Sequence, residues 1–167
     1  AIVVDRSRCR LYELFAARWN GGRPHAGSGA IFDMDSNDLR PAGWTSADAA
    51  GLPILAGLVR WDEVKSGTIE HAIRFTVDCT TDEYVWPARH EAGVNDPDCP
   101  PMGARFRLKA DVDLSGFSPK ARTILLAMQR YGLMLADNGS NWYFQGTRDR
   151  HWRNGLLDQL KSVIEHR

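Results

Sequence analysis

The stretch from Ser118 to Ser140 constrains this chain most, because it specifies a helix, its stop and the strand that follows. Ser118 before Pro119 is a helix start: a hydroxyl at the cap, then a residue whose fixed φ suits the first helical position. Ala121, Ile124, Leu125 and Met128 recur at helical spacing and define one apolar face. Gly132 is the expected stop. Leu133-Met134-Leu135-Ala136 reads as an apolar strand that delivers Asp137, Asn138 and Gly139 together at its end. An acid at a strand end is where a rigid scaffold presents a catalytic group. The same Asp-Asn-Gly also makes an ordinary turn, with the aspartate bonded to its own backbone.

Other strands surround this unit. Ile2-Val3-Val4-Asp5 and Leu11–Phe15, separated by the polar Arg6-Ser7-Arg8, read as a hairpin. Asn20-Gly21-Gly22 is a second turn, and Ala30-Ile31-Phe32 a short strand. Ile73, Phe75 and Val77 alternate with Arg74, Thr76 and Asp78, the period of a half-buried strand. Tyr84-Val85-Trp86 reads as a strand stopped by Pro87, and Phe106 and Leu108 alternate with Arg105, Arg107 and Lys109. Trp142-Tyr143-Phe144, just after the Asn-Gly-Ser turn, predicts a hairpin with Leu133–Ala136. Thr45-Ser46-Ala47-Asp48 predicts a helix start, with Leu52-Pro53 ending it early. Leu156, Leu157, Leu160, Val163 and Ile164 mark a final amphipathic helix. There is no repeat, no low-complexity linker and no alternating βα order. The expectation is one domain over residues 1–167: a β-rich α+β fold of six or more short strands, arranged as a barrel, with two or three inserted or terminal helices.

Composition narrows the partners. With 167 residues and 43% hydrophobic content the chain is long enough for a real core. Acids and bases balance at 21 each, so no global positive field exists to hold a nucleic acid. No run approaches a membrane span, and membrane insertion is not expected. The opening on Ala1-Ile2-Val3-Val4, with no signal peptide before it, reads as a mature or trimmed fragment. Of the three cysteines, Cys79 and Cys99 flank the segment Tyr84–His90, which a disulfide would brace in an oxidising compartment. Three unpaired thiols in a reducing one is the alternative.

No phosphate-binding or dinucleotide motif is present, and Gly27-Ser28-Gly29 lacks the required spacing. No Gly-x-Ser-x-Gly elbow exists. The better candidates are polar residues on strands or at their ends. Asp137, His71, His90 and Arg74 form a candidate catalytic set: an acid, an imidazole and a guanidinium suit proton transfer to a glycosidic oxygen with charge stabilisation. Each has an ordinary role too. His71 suits a satisfied strand histidine, Arg74 a surface pair with Asp78 or Glu70, and His90 a turn. Trp86, Arg89, Asn138 and Trp142 are candidate substrate-binding residues, since flat aromatic faces stack on sugar rings while polar neighbours bind hydroxyls. Trp44 lies near a polar loop in the same way. His25, His71, His90 and His151 show no ligand spacing, so no metal or cofactor is expected, although a histidine-ligated metal enzyme stays an alternative.

Two resemblances add to this. Gly43–Pro53 (Gly-Trp-Thr-Ser-Ala-Asp-Ala-Ala-Gly-Leu-Pro), Tyr84–His90, Pro100-Pro101-Met102-Gly103 and Tyr131–Ser140 resemble the motifs of an uncharacterised family of secreted bacterial proteins. That likeness covers most of the chain and implies an extracellular setting, with this chain the C-terminal part of a longer protein. Pro101-Met102-Gly103-Ala104-Arg105-Phe106 and Ala136-Asp137-Asn138-Gly139 are similar to segments of double-psi β-barrel lytic transglycosylases. The second likeness covers about a quarter of the chain. It implies a double-psi-like barrel and gives Asp137 the role of the single acid that cleaves a glycan strand. Asn138 stands where that family has threonine, no Gly-Gly-Ala-Ile follows, and Arg148-Asp149 meets its downstream Arg-x-Asp only in part. The expected function is therefore a secreted enzyme cleaving glycosidic bonds in a polysaccharide, and the alternative is a carbohydrate-binding module without catalysis.

Overall fold

The computed structural model describes residues 1–165, with side chains to residue 163. Nine strands and four helices occur among the described residues, so the β-rich α+β class is found. The strands lie in three sheets, none of which closes into a barrel.

The N-terminal hairpin forms as expected. Strand β1 (Ile2–Asp5) pairs antiparallel with β2 (Arg10–Phe15), and β2 pairs in turn with β5 (Ser28–Asp33). Asp5 accepts from the N–H groups of Ser7 and Arg8 and closes the turn between them. A small hairpin, β3 (Arg18–Asn20) with β4 (Arg23–His25), turns at Gly21-Gly22.

The main sheet has the order β7-β8-β6-β9, with β6 at Ile73–Val77, β7 at Arg105–Phe106, β8 at Leu133–Asn138 and β9 at Tyr143–Phe144. Two expectations change here. Trp142–Phe144 does not form a hairpin with Leu133–Ala136, because both edges of β8 are taken, by β7 and by a parallel pairing with β6. The chain crosses over, and β9 pairs with the far edge of β6, Phe75 opposite Phe144. Strand β6 is consequently interior, and all five of its residues are buried rather than every second one. Ile73, Phe75 and Val77 enter the hydrophobic core. Arg74 and Thr76 lie on the other face, which loops and a short helix cover.

That helix, α1 (Ile54–Gly57), begins after Pro53 and not at Thr45. The hydroxyl and carboxyl of Ser46 and Asp48 are used within their own loop instead. Ser46 Oγ donates to the Leu52 carbonyl at 2.8 Å, and Asp48 Oδ1 accepts the Ala50 N–H at 2.8 Å. Such side-chain bonds offer the backbone an alternative to the helix. Gly57 sits so close over Arg74 that a Cβ there would lie 2.7 Å from the Arg74 Cβ. Helix α2 (Trp61–Ser66) was not apparent in the sequence; Glu63 accepts the Arg60 N–H at its start.

Helix α3 (Pro119–Arg130) follows the sequence reading closely. Ser118 Oγ accepts from the Ala121 N–H, and Ala121, Ile124, Leu125 and Met128 are buried. Gly132 takes the left-handed φ of +82° that ends the helix. Helix α4 (Asn154–Glu165) buries Leu156 and Leu160 but leaves Leu157 partly exposed; the side chain of Ile164, expected on its apolar face, lies outside the described residues. The segment Tyr84–Trp86 makes only one bridge, Tyr84 to Met102, and forms no strand. Cys79 and Cys99 are joined, with Cα atoms 5.5 Å apart, leaving Cys9 free. No helix among the described residues is long and apolar enough to cross a membrane.

Candidate functional site

A β-bulge brings Asp137 and Arg74 together. The β6–β8 register is regular through Phe75 opposite Leu135, then jumps to Thr76 opposite Asp137, so Ala136 is an extra residue. Side chains alternate faces along a strand, and in a regular β8 Asp137 would share the core face of Leu133 and Leu135. The extra residue shifts the alternation. Asp137 therefore emerges on the face of Arg74, its Oδ2 3.7 Å from an Arg74 terminal nitrogen. The bulged Ala136 carbonyl is satisfied from outside the sheet, by the Ala50 N–H at 3.0 Å.

Arg74 is buried and has a closer partner, Asp48, at 2.8 Å. The Asp48 side chain is wholly inaccessible, whereas that of Asp137 retains 36% of its exposure. Glu13, from β2, completes the group. It is fully buried and caps α1, accepting the Ile54 and Leu55 N–H groups at 2.8 Å each, and the Arg74 charge favours its ionised form. Arg74 thus pairs with Asp48 and approaches Asp137, and its charge reaches Glu13 through space. Arg74 Nε is buried with no acceptor among the described residues.

The electrostatics follow from that arrangement. Burial pushes the Asp48 carboxyl up to about 7; the charge and hydrogen bond of Arg74 oppose the rise, and the Asp137 charge adds to it. Burial also raises Asp137, against Arg74 and the N–H groups of Asn138 and Ala49. Glu13 is raised by burial as well, against its two backbone donors and Arg74. Burial with a single nearby guanidinium therefore favours the protonated forms of Asp48 and Asp137 relative to free carboxylates. Asp137 is the member that reaches solvent.

The other candidates divide. His90 Nδ1 donates to the Ala49 carbonyl at 3.0 Å, and the Arg89 N–H donates to the Ala50 carbonyl at 2.8 Å. Both residues thereby hold the loop that carries Asp48. His71 is placed elsewhere: Nδ1 bonds the Ala72 carbonyl at 2.9 Å and Nε2 lies 3.3 Å from Glu63, in a polar cleft with Arg60 and Glu70. Arg74 pairs with Asp48 and Asp137, not with Asp78 or Glu70 on a surface. Asn138 is a clip, accepting from Thr80 Oγ1 at 2.8 Å and donating to the Ala92 carbonyl at 2.6 Å, which ties the disulfide loop to the sheet. The Trp142 ring stacks on Phe75 and meets Phe106 edge-on, each at 5.3 Å. Trp86 is 78% exposed and Trp44 58%. The Cys79, Asp96 and Cys99 side chains also cluster, but the two sulfurs are already bonded to each other and are not free to hold a metal.

Sequence reading missed Asp48 and Glu13. Glu13 did carry a signal: it sits two residues from Leu11 on the buried face of β2, where a charge needs a partner. Asp48 resembled a first-turn helix acid, and nothing in the sequence tied it to Arg74. Comparison with known protein families, curated proteins and solved structures finds no match.

Proposed function

We propose that the chain is a secreted carbohydrate-active enzyme in which Asp137 donates a proton to a glycosidic oxygen. The observation that carries this reading is a half-buried carboxyl raised above its ordinary range, set by a bulge at a strand end beside a buried Asp48–Arg74 pair. A general acid needs that combination: enough burial to hold a proton, and enough exposure to reach substrate. Asp137 protonates the bridging oxygen as the glycosidic bond breaks. Its carboxylate, stabilised by Arg74, then takes a proton from the incoming hydroxyl or water and is reset. Asp48 holds Arg74 in place, Glu13 anchors the helix that covers Arg74, and His90 and Arg89 hold the Asp48 loop. The exposed rings of Trp86 and Trp44 are the sugar-stacking faces in this reading. The short likeness to double-psi β-barrel lytic transglycosylases supports the choice of Asp137, and a double-psi-like relation of the main sheet belongs to the same reading. The Cys79–Cys99 bridge supports an oxidising, extracellular setting.

The test is product release from bacterial cell-wall glycan, chitin and soluble oligosaccharides. Wild-type protein is expected to cleave one of them, with Asp137→Asn at least 100-fold slower and equally folded. An active enzyme whose Asp137→Asn variant keeps full rate refutes the assignment. The two exposed tryptophans also favour a second reading, a binding module. Retention on an insoluble glycan without product release, lost on Trp86→Ala, would establish it.

A further inference from the structure

A second cavity, of about 620 Å³, lies between the β9 segment and helix α4. Its volume falls within the range of small-molecule sites, roughly 300–1,000 Å³. Trp142, Phe144, Trp152, Leu157 and Leu160 supply apolar walls. Those walls are held from behind. Trp142 stacks on Phe75 of the core, and Trp152 is anchored by its indole N–H to the Thr147 carbonyl at 2.8 Å and by edge contact with Trp61. The indole donor of Trp152 is thus spent on backbone, and its ring offers the cavity carbon surface.

Charge at this cavity is asymmetric. Arg148 and Lys161 both line it. The acid on the wall, Asp149, is already engaged by the His151 N–H at 2.8 Å and by His151 Nδ1 at 2.6 Å. Asp158 approaches Lys161 only at 3.5 Å between two well-exposed side chains, a pairing worth little in water. Arg150 and Arg153 add positive charge to the same segment. Aromatic and aliphatic walls with cations alongside suit a molecule with an alkyl body and a negative head.

We propose that this cavity binds a single-chain anionic amphiphile of the alkyl-carboxylate class, its chain against Trp142, Trp152 and Leu160 and its carboxylate at Arg148 and Lys161. This site is separate from the Asp137 cluster and does not rest on the reading given to it.

The experiment titrates the full chain with octanoate, decanoate and dodecanoate below their micellar concentrations, by calorimetry and tryptophan fluorescence. One-to-one binding is expected, strengthening by up to about fourfold per added methylene. Dodecyltrimethylammonium should bind at least tenfold more weakly than dodecanoate, and Arg148→Glu with Lys161→Glu should reverse that order. Leu157→Glu, at a partly exposed position, should lose at least tenfold in dodecanoate affinity with the melting temperature kept, whereas Leu157→Met should bind as wild type. No saturable binding of dodecanoate, equal binding of the cationic detergent, or full dodecanoate affinity in the combined Arg148→Glu and Lys161→Glu variant would overturn the proposal.

Discussion

Replacing Asp48 with asparagine should change how stability depends on pH more than it changes the fold. In the folded chain the Asp48 carboxyl stands at about 7, against 3.8 when unburied. Between those two values the folded state holds a proton that the unfolded state releases. Stability from this group is therefore fully present below about pH 3.8, falls as pH rises through the interval, and is exhausted above about pH 7. The difference between those two values, at about 1.4 kcal/mol per pH unit, corresponds to about 4 kcal/mol. A carboxamide does not titrate, so Asp48→Asn removes this slope and leaves those of the other groups largely in place. Asp137 and Glu13, raised by burial, have slopes of the same sign as Asp48. The measurement is urea unfolding of both proteins at several pH values from 4 to 7, disulfide intact, with free energies extrapolated to water. Wild type should lose several kcal/mol more than the variant between pH 4 and pH 7, up to about 4. Parallel profiles for the two proteins would show that Asp48 titrates as it does in the unfolded chain, and the account of a proton retained in the cluster would fall.

Arg74→Met leaves Asp48 and its neighbours without their cation and should destabilise the chain by about 3–5 kcal/mol in the same unfolding assay, most at pH 7 and less at pH 4. Glu13→Gln keeps one acceptor but turns an amide NH₂ toward the Ile54 or Leu55 N–H, and should cost about 1–3 kcal/mol of unfolding free energy. Reducing the Cys79–Cys99 bridge, which spans 20 positions, should lower stability by about 3 kcal/mol, read from the urea midpoint with and without reductant.

Legibility in the sequence tracked how local the determinants were. Helix α3 depends on Ser118, Pro119, Gly132 and its own periodicity, all within one short stretch, and it was readable to its ends. The β1–β2 hairpin was local in the same sense. The main sheet was not, because the choice of partner for β9 depends on which edges of β6 and β8 are already filled, and no residue of Trp142–Phe144 records that. Thr45–Asp48 had the composition of a helix start, yet its side chains satisfy a loop whose geometry is set by Ala136, Arg89 and His90. Asp137 could be picked out because an acid ends an apolar run. Its orientation could not, since the bulge at Ala136 arises from pairing with a distant strand. Arg74 was read with the wrong neighbours; its partner Asp48 lies 26 residues earlier in a segment read as helix.

The four charged groups of the cluster come from positions 13, 48, 74 and 137, in β2, an irregular loop, β6 and β8. No subset of neighbouring elements can assemble them. A nascent or partly folded chain that has formed α3 and its local packing still lacks the N-terminal carboxylate, or the loop, or the crossover strand, and its Arg74 meets water or an incomplete set of acids. Closure of these long loops is slow compared with local helix formation. The cluster is therefore complete only when all four segments have assembled, so its burial reports on the fold of the whole chain and not on any one element.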